Sequence, residues 1–385
     1  MKKNTALIFL ISFLSFFVLF FALQYFVGGV SYDRNEENLK VNAEGNKGKQ
    51  EQVVLPLPLL DKVVYDKKLL DIANNPPDPI VYENIKTVET DKNGKSITKI
   101  TKVPVSPQPV KSHLWPVKAV YPNGGALLPF NRIIAYYGNL YSKKMGVLGE
   151  YPENEMLRML ETEVKKWEIA DPNTPVIPAL HYIAVVAQSS AGADGKYRAR
   201  MPDSEIDKVL TMAKKIDAIV FLDIQVGFSD LKTEVPYFSK YLKLPNVHLG
   251  VDPEFSMKTG IRPGKIVGTL DATDINFTTN YLAKIVKENN LPPKILIVHR
   301  YTQKMLTNYK DIKPLPEVQI VVHMDGWGGA AKKIGTYTHF IYPEPIQFTG
   351  FKLFYKNDVL GPGTTLMTPK DLLKLNPQPI YIQYQ

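Results

Sequence analysis

The chain has 385 residues, of which 44% are hydrophobic and 22% charged, and it contains no cysteine. This composition is that of a globular protein, and the missing cysteines exclude disulfides, thiolate metal sites, a cysteine nucleophile and a lipid-modified cysteine. The 47 basic and 38 acidic residues give a net charge of +9 without a basic stripe, so we expect no nucleic-acid partner.

An apolar run at the N-terminus predicts a membrane anchor. Ala6–Val27 contains no charged residue, and a helix of this length spans about 33 Å, enough for a bilayer core of about 30 Å. Lys2 and Lys3 precede the run, which favours a cytoplasmic N-terminus and an exported remainder. We predict that residues 1–30 are a single-pass transmembrane anchor of a cell-membrane protein. A signal sequence cleaved near Gly28, and hence a secreted protein, is the open alternative.

Residues 31–126 are predicted to form an extracytoplasmic linker. Residues 31–60 are polar and lack an apolar period, and Asp66–Ala73 is a short helical candidate. Alternating sequences on both sides of Asn93-Gly94 predict a β-hairpin at 80–103.

From residue 127 to residue 385, short β-branched or aromatic runs alternate with amphipathic helical stretches. Near-continuous apolar strands that alternate with helices indicate a parallel sheet covered on both faces, and eight of them favour a closed barrel. The predicted fold class is therefore α/β: a (β/α)8 TIM-like barrel preceded by a transmembrane helix and a linker with a hairpin. The strand candidates are Ile133–Tyr137, Val176–Ile183, Ala218–Gln225, Val247–Asp252, Lys294–Arg300, Val318–Met324, Thr349–Tyr355 and Ile380–Tyr384.

Polar residues lie at the C-terminal ends of the predicted strands, where such barrels have their active sites. Burying polar groups is costly unless a ligand or water contacts them, so we predict that these residues bind a substrate. The predicted substrate-binding residues are His181, Asp223, Gln225, His299, Arg300, His323, Asp325, Trp327, Lys352 and Gln383. No strict nucleotide-binding glycine motif occurs in the sequence, and we predict no cofactor.

The segment from Gly250 to Glu254 carries two acidic residues. If the fourth strand stays extended through it, Asp252 and Glu254 point the same way. In a carboxyl pair, one group stays protonated as a general acid while the other remains ionised, as glycoside cleavage requires. We predict Glu254 as the catalytic acid/base and Asp252 as its partner. The alternative is that Asp252 pairs with Arg300 or Lys352 and Glu254 caps a loop.

A metal site is a second open alternative. His181, His299 and His323, with Asp223 or Asp325, offer the ligands of barrel hydrolases that activate water on a metal. The first predicted strand lacks the His-x-His motif of those barrels, so no metal ligand is assigned. Aromatic residues near the strand ends suit sugar rings. They are Tyr136, Tyr137, Phe255, Tyr301, Trp327 and Tyr355.

Six segments of the predicted barrel carry a resemblance to known sequences. They are Tyr137-Gly138-Asn139, Gly146-Val147-Leu148-Gly149-Glu150-Tyr151-Pro152, His248-Leu249-Gly250-Val251-Asp252-Pro253-Glu254-Phe255, Ile297-Val298-His299-Arg300, Met324-Asp325-Gly326-Trp327-Gly328 and Ile380-Tyr381-Ile382-Gln383-Tyr384-Gln385. Together these segments resemble an uncharacterised family of exported bacterial TIM-barrel proteins. The resemblance covers residues 130–385 and implies a barrel fold and export, but no catalytic role.

The fourth strand is also similar to the D-G-x-D-x-D-x-E motif of family-18 chitinases. Asp252 and Glu254 match its last two acidic positions. Gly250 stands at the middle aspartate, and Val247 and His248 stand at the first aspartate and the glycine, so the match is partial.

The sequence thus predicts an exported, membrane-tethered barrel protein that acts as a glycosidase-like hydrolase on a cell-envelope carbohydrate. Two alternatives stay open, a non-catalytic carbohydrate-binding or scaffold barrel and a metal-dependent hydrolase. The expected partners are the membrane, through the N-terminal helix, and an envelope polysaccharide.

Overall fold

The computed structural model describes residues 57–90, 92–106 and 112–385. The predicted anchor, residues 1–30, lies outside the described residues. Among the helices of the described ranges, none combines the length and the apolar character that a membrane span requires.

Helix α1 (Lys62–Ala73) precedes the barrel and packs against it. Asp61 caps the helix by accepting hydrogen bonds from two backbone N–H groups of its first turn, both at 3.0 Å. Tyr65 and Ile72 are buried together with Leu128 and with apolar residues from the inside of the barrel. The predicted linker therefore contains a helix that belongs to the core packing of the barrel.

Strands β1 (Tyr82–Thr90) and β2 (Ser96–Pro104) form the hairpin that the sequence predicts at 80–103. They pair antiparallel along their whole length. Gly94 has a φ of 81° in the turn, a conformation that favours glycine. Every residue of β1 and all but one of β2 are exposed, so the hairpin buries no apolar face.

Within the described residues, eight parallel strands close into a barrel. Each strand pairs with its neighbour along the chain, and the last strand pairs with the first, with Tyr381 beside Ile133. This closure confirms the predicted TIM-type α/β barrel. The barrel strands are β3 (Arg132–Gly138), β4 (Val176–Ala187), β5 (Ile219–Ile224), β6 (Val247–Val251), β7 (Lys294–Arg300), β8 (Val318–Met324), β9 (Phe348–Leu353) and β10 (Tyr381–Tyr384). Shorter strands lie at Arg198–Arg200, Leu270–Asp271 and Leu306–Thr307.

Amphipathic helices cover the outside of the barrel. Met156, Leu160 and Trp167 form the buried face of the first of them, and the Trp167 indole donates a hydrogen bond to Tyr384 Oη at 3.0 Å. The outer helices are α2 (Glu153–Ala170), α3 (Asp203–Lys214), α4 (Leu231–Tyr237), α5 (Ala272–Asn289) and α6 (Ala330–Thr336). Short helical turns lie at Val147–Glu150, Ser239–Leu242 and Pro369–Leu372.

The connection from β7 to β8 departs from the predicted alternation of strand and helix. Residues 301–317, all described, contain two short 3-10 turns at Gln303–Met305 and Tyr309–Asp311 but no α-helix. Pro314 and Pro316 lie in this stretch, and proline lacks the amide hydrogen that the interior of a helix requires.

The barrel interior is apolar toward the N-terminal ends of the strands and polar toward their C-terminal ends. Phe221, Ile297 and Val321 pack in the apolar part. Side chains of a strand alternate between its two faces, so the inward positions that follow are two residues later. Those positions are Asp223, His299 and His323.

Candidate functional site

Three polar side chains from different strands meet inside the barrel. His181 on β4, Asp223 on β5 and His299 on β7 are all fully buried. His181 Nε2 lies 3.2 Å and His299 Nε2 lies 3.4 Å from the same atom, Asp223 Oδ1. We call these three residues the central triad.

Other buried side chains hold the remaining polar atoms of the central triad. The contacts are Tyr137 Oη to Asp223 Oδ2 at 2.9 Å, Asp325 Oδ2 to His299 Nδ1 at 2.8 Å, and Tyr381 Oη to His181 Nδ1 at 2.6 Å. The outer atoms of the triad are therefore engaged, and Asp223 Oδ1 and the two Nε2 atoms face one another.

Lys352 on β9 brings a positive charge to this cluster. Its Nζ lies 2.9 Å from Asp325 Oδ1 and 3.9 Å from the centre of the Tyr137 ring. The side chain is 3% exposed, so the ion pair with Asp325 is shielded from water. Lys352 therefore connects Asp325, which contacts His299, with Tyr137, which contacts Asp223.

A glycine on β6 makes room for the central triad. Gly250 pairs beside Asp223 in the parallel register of β5 and β6. A Cβ atom at Gly250 would lie 2.4 Å from both Asp223 Oδ1 and His181 Nε2, closer than real contacts of a Cβ atom. Glycine is therefore needed here because the triad packs directly against the strand backbone.

The predicted carboxyl pair follows β6 but does not lie in an extended strand. The strand ends at Val251, and Pro253–Phe255 forms a 3-10 turn. Asp252 caps this turn, since its Oδ1 accepts a hydrogen bond from the backbone N–H of Glu254 at 3.0 Å. The expectation of an extended strand through Glu254 is wrong, because the proline fixes the φ that the first position of a helical turn requires.

Burial and neighbouring charges raise the pKa of both groups of this carboxyl pair. Burial raises the pKa of Asp252 to about 7; His299 opposes the rise, and the carboxylates of Asp223 and Asp325 add to it. Burial raises the pKa of Glu254 to about 8, and Asp252 and Asp325 contribute in the same direction. Glu254 therefore carries its proton at neutral pH.

The carboxyl groups of Asp223 and Asp325 have lowered pKa values, in contrast to those of Asp252 and Glu254. Burial alone would raise the pKa of Asp223 and of Asp325, but His299 and His181 hold the first below its usual range, and Lys352 and His299 hold the second there. Burial would lower the pKa of His299, but the two carboxylates raise it to about 10. Burial lowers the pKa of His181 to about 4, so its imidazole is neutral.

Gln225 links the carboxyl pair to the central triad. Its Nε2 lies 3.4 Å from Tyr137 Oη and 3.5 Å from Asp252 Oδ2, and its Oε1 accepts a hydrogen bond from the Ala187 N–H at 3.0 Å. The side chain is buried, as its predicted inward position requires.

His323 and Gln383 also lie inside the barrel. The ring centre of His323 is 5.1 Å from that of His299, and the Gln383 amide donates a hydrogen bond to Tyr381 Oη at 2.9 Å. Tyr381 is not among the predicted site residues. Because Gln383 faces inward, the period of two also places Tyr381 inside the barrel, and this signal was sufficient to find it.

The structure corrects the predicted placement of Arg300. Its guanidinium donates to the backbone carbonyls of Thr302 and Gln303 and forms an ion pair with Glu344 at 2.6 Å. The reason is the alternation of the strand, since the preceding residue, His299, faces inward. Arg300 therefore stabilises the loop after β7 and does not contact the central triad.

The predicted aromatic residues lie in three different surroundings. Tyr137 faces the cluster, and Tyr301 forms a hydrogen bond with Glu254. The hydroxyl groups of Tyr136 and Tyr355 form a hydrogen bond at 2.9 Å. Both residues pack in the layer between the barrel and its helices. Trp327 lies in the loop after β8, where Lys332 Nζ is 4.5 Å from its ring centre.

The cluster is closed to solvent except near Glu254. Tyr137 is 3% and Asp252 4% exposed, whereas Glu254 is partly exposed. A groove of about 600 Å³ lies at the outer rim of the barrel, where residues such as Tyr151 and Asp207 line it. This groove contains none of the predicted site residues.

Comparisons with known proteins give no family. Neither a protein family nor a curated protein matches the sequence. Among solved structures, the chain is similar to dihydropteroate synthase from Burkholderia cenocepacia in complex with 7,8-dihydropteroate, with 9% identity and a TM-score of 0.33, over 67% of this chain and 86% of that one. The assignment of the barrel rests on its strand pairing. The resemblances to the exported barrel family and to the chitinases stay predictions.

Proposed function

We propose that this chain is an exported, membrane-tethered hydrolase that acts on a carbohydrate of the cell envelope, with Glu254 as its proton donor. One observation carries the proposal: Glu254 is partly exposed at the C-terminal end of β6, next to the carboxyl groups of Asp252 and Asp325, which raise its pKa. A general acid needs both properties, because it must reach the substrate and must hold a proton to donate at the working pH.

A second carboxyl group beside Glu254 suits the cleavage of a glycosidic bond, which uses two such groups. Asp325 and Asp223 remain ionised, but Lys352 and the protonated His299 balance their charges, so these four groups supply no net negative charge. Asp252, with a pKa of about 7, supplies the group that exchanges a proton near neutrality.

Tyr301 supports the orientation of the proposed acid. Its hydroxyl shares a hydrogen bond with the Glu254 carboxyl group. Tyr301 is partly exposed. A partner of this kind restricts the rotamers of a catalytic side chain, and the aromatic face beside the carboxyl group suits a sugar ring.

The envelope is the proposed location because of the predicted anchor. Residues 1–30 combine two leading lysines with an uncharged run long enough to cross a bilayer, which favours an exported barrel. Envelope glycans are the carbohydrates within reach of a barrel tethered in this way.

The test compares the turnover of isolated envelope glycans by the full chain and by its Glu254→Gln variant. We expect the substitution to lower kcat by about 10²- to 10⁴-fold, the usual contribution of a general acid, because glutamine has no proton to donate. Glu205→Gln is the matched control, since it makes the same change at a buried glutamate on the outer helix α3 and should leave kcat unchanged. Equal rates for the wild type and Glu254→Gln would exclude Glu254 as the acid.

The closure of the cluster favours a second candidate, a non-catalytic carbohydrate-binding barrel. Asp252 is engaged as the cap of the turn, and Asp325 is engaged in an ion pair, which are structural roles. Binding of an envelope glycan without any turnover, unchanged in Glu254→Gln, would favour this candidate over the hydrolase.

A further inference from the structure

The inner atoms of the central triad converge on one point. In the described part of the chain, His181 Nε2, Asp223 Oδ1 and His299 Nε2 are all buried, and none of them makes a hydrogen bond of normal geometry. The two Nε2 atoms contact Asp223 Oδ1 only as ion pairs, at 3.2 and 3.4 Å. A metal ion bound between the three atoms would replace the proton on His299 and give each atom a direct partner.

Two distances in the central triad are those between ligands of one metal ion. His181 Nε2 lies 3.2 Å and His299 Nε2 lies 3.4 Å from Asp223 Oδ1, and ligand atoms of the three residues lie no more than 4.8 Å apart. Two ligand atoms that each lie about 2.1 Å from a zinc ion, at a near-tetrahedral angle, are about 3.4 Å apart. We infer that the central triad binds one divalent metal ion of the zinc class through His181 Nε2, Asp223 Oδ1 and His299 Nε2.

The surrounding contacts are those that orient metal ligands. Histidine ligands usually donate their other ring N–H to an oxygen, and ligating carboxylates are usually hydrogen-bonded as well. Here Asp325 holds Nδ1 of His299, Tyr381 holds Nδ1 of His181, and Tyr137 donates to the outer oxygen of Asp223. Each ligand therefore has one atom fixed by the protein and one atom directed at the proposed ion.

The ligand types indicate which ion fits. Two imidazoles and one carboxylate suit zinc and related first-row divalent ions, whereas magnesium and calcium prefer oxygen ligands alone. Three protein ligands leave one position of a tetrahedral ion for water or substrate, the pattern of catalytic zinc sites. The inference stands independently of the proposed glycan chemistry, because it concerns binding by residues other than Glu254.

The test measures metal without using activity. The full chain, expressed without a histidine tag and purified without chelator, is analysed for bound metal, stripped with chelator and titrated with Zn²⁺ or Mg²⁺. We expect about one equivalent of zinc per chain, and a thermal midpoint that falls on stripping and rises by about 5 °C when Zn²⁺ is restored at a hundredfold excess over its Kd. Mg²⁺ should leave the midpoint unchanged.

Variants locate the ion. His181→Ala and His299→Ala should lose the stoichiometric zinc, and Asp223→Asn tests the carboxylate with little change of shape in case the alanine variants do not fold. His248→Gln is the matched control, since His248 is a buried barrel histidine whose Nδ1 accepts a hydrogen bond from the Ile295 N–H at 3.1 Å, outside the triad. It should retain the ion.

Two results would overturn the inference. One is a wild-type chain that takes up no zinc and shows no change of its midpoint with Zn²⁺. The other is stoichiometric zinc retained by a folded His181→Ala or Asp223→Asn variant. Both are distinct from a failure of the proposed hydrolase, which would leave metal binding intact while Glu254→Gln and wild type hydrolyse glycans at equal rates.

Discussion

At the scale of one residue, the buried carboxyl group of Asp252 lowers the free energy of unfolding at neutral pH. Its carboxyl group is 4% exposed and lies near Asp223 and Asp325, so its ionised form is disfavoured in the folded protein. Its pKa is about 7 when folded and about 3.9 in an unfolded chain. Between these values the folded state binds more protons than the unfolded state, so this group lowers the free energy of unfolding as pH rises from about 4 to 7.

Asp252→Asn should remove this pH-dependent loss of the free energy of unfolding. Asparagine keeps the oxygen that accepts from the Glu254 N–H but cannot ionise beside Asp223, Asp325, His299 and Lys352. We expect the variant to match the wild type near pH 4 and to exceed its free energy of unfolding by roughly 2–4 kcal/mol above pH 7. Urea unfolding at pH 4, 6 and 8 measures the difference. A gap that stays constant across these pH values would contradict the prediction.

The central triad depends on contacts between residues that are distant in the sequence. The sequence marks His181, Asp223 and His299 as inward and polar, each on its own strand. Only the closed barrel shows that two Nε2 atoms approach one oxygen. Their separation depends on the register between strands, which are far apart along the chain.

At the scale of one element, strand β6 leaves room for the central triad because Gly250 has no side chain. Val247–Val251 contributes His248 and Gly250 to the inside of the barrel, and the absent side chain of Gly250 accommodates the triad. The turn after the strand then begins with Asp252 and Pro253, which stops the extended conformation. One short segment thus sets the positions of both the triad and the carboxyl pair.

Gly250→Ala should disrupt the site through this element. The added Cβ atom would lie 2.4 Å from Asp223 Oδ1 and His181 Nε2, so the strand or the side chains must move. We expect a loss of roughly 1–3 kcal/mol in the free energy of unfolding, the usual cost of overpacking, together with weaker zinc binding. Gly335→Ala, in helix α6 with nothing within 4 Å of its added Cβ, should be neutral or slightly stabilising. Equal stability of both variants would exclude the steric argument.

At the scale of the whole molecule, the barrel and the hairpin have different relations to the core. Helix α1 belongs to the barrel, since Tyr65 and Ile72 are buried against its interior. The hairpin at β1 and β2 is exposed on both faces, and its strands pair almost entirely with each other. The barrel should therefore fold without it.

Replacing residues 82–104 by a short Gly-Ser linker tests this expectation. Tyr82 and Pro104 are paired across the base of the hairpin, so a few residues can join the flanking chain. We expect the free energy of unfolding to change by no more than about 0.5 kcal/mol, as for other surface changes. Unfolding by urea, followed by circular dichroism, measures it. A large loss of stability would show that the hairpin supports the barrel.

The sequence by itself determined the class of fold and most of its elements. The eight strands and their alternation with amphipathic helical stretches follow from periodicity, which is a local property of the chain. The hairpin follows from Asn93-Gly94 and the alternation beside it. The ends of elements do not follow from periodicity, because they depend on capping and on prolines such as Pro253.

Only the tertiary structure decided which polar residues act together. Arg300 and His299 are neighbours in the sequence, yet one braces a loop outside and the other joins the triad inside. Asp252 and Glu254 remain neighbours through a turn and not through an extended strand. The physical reason is that strand register, barrel closure and burial place atoms from distant segments within a few ångström, and they set the charge each group carries there.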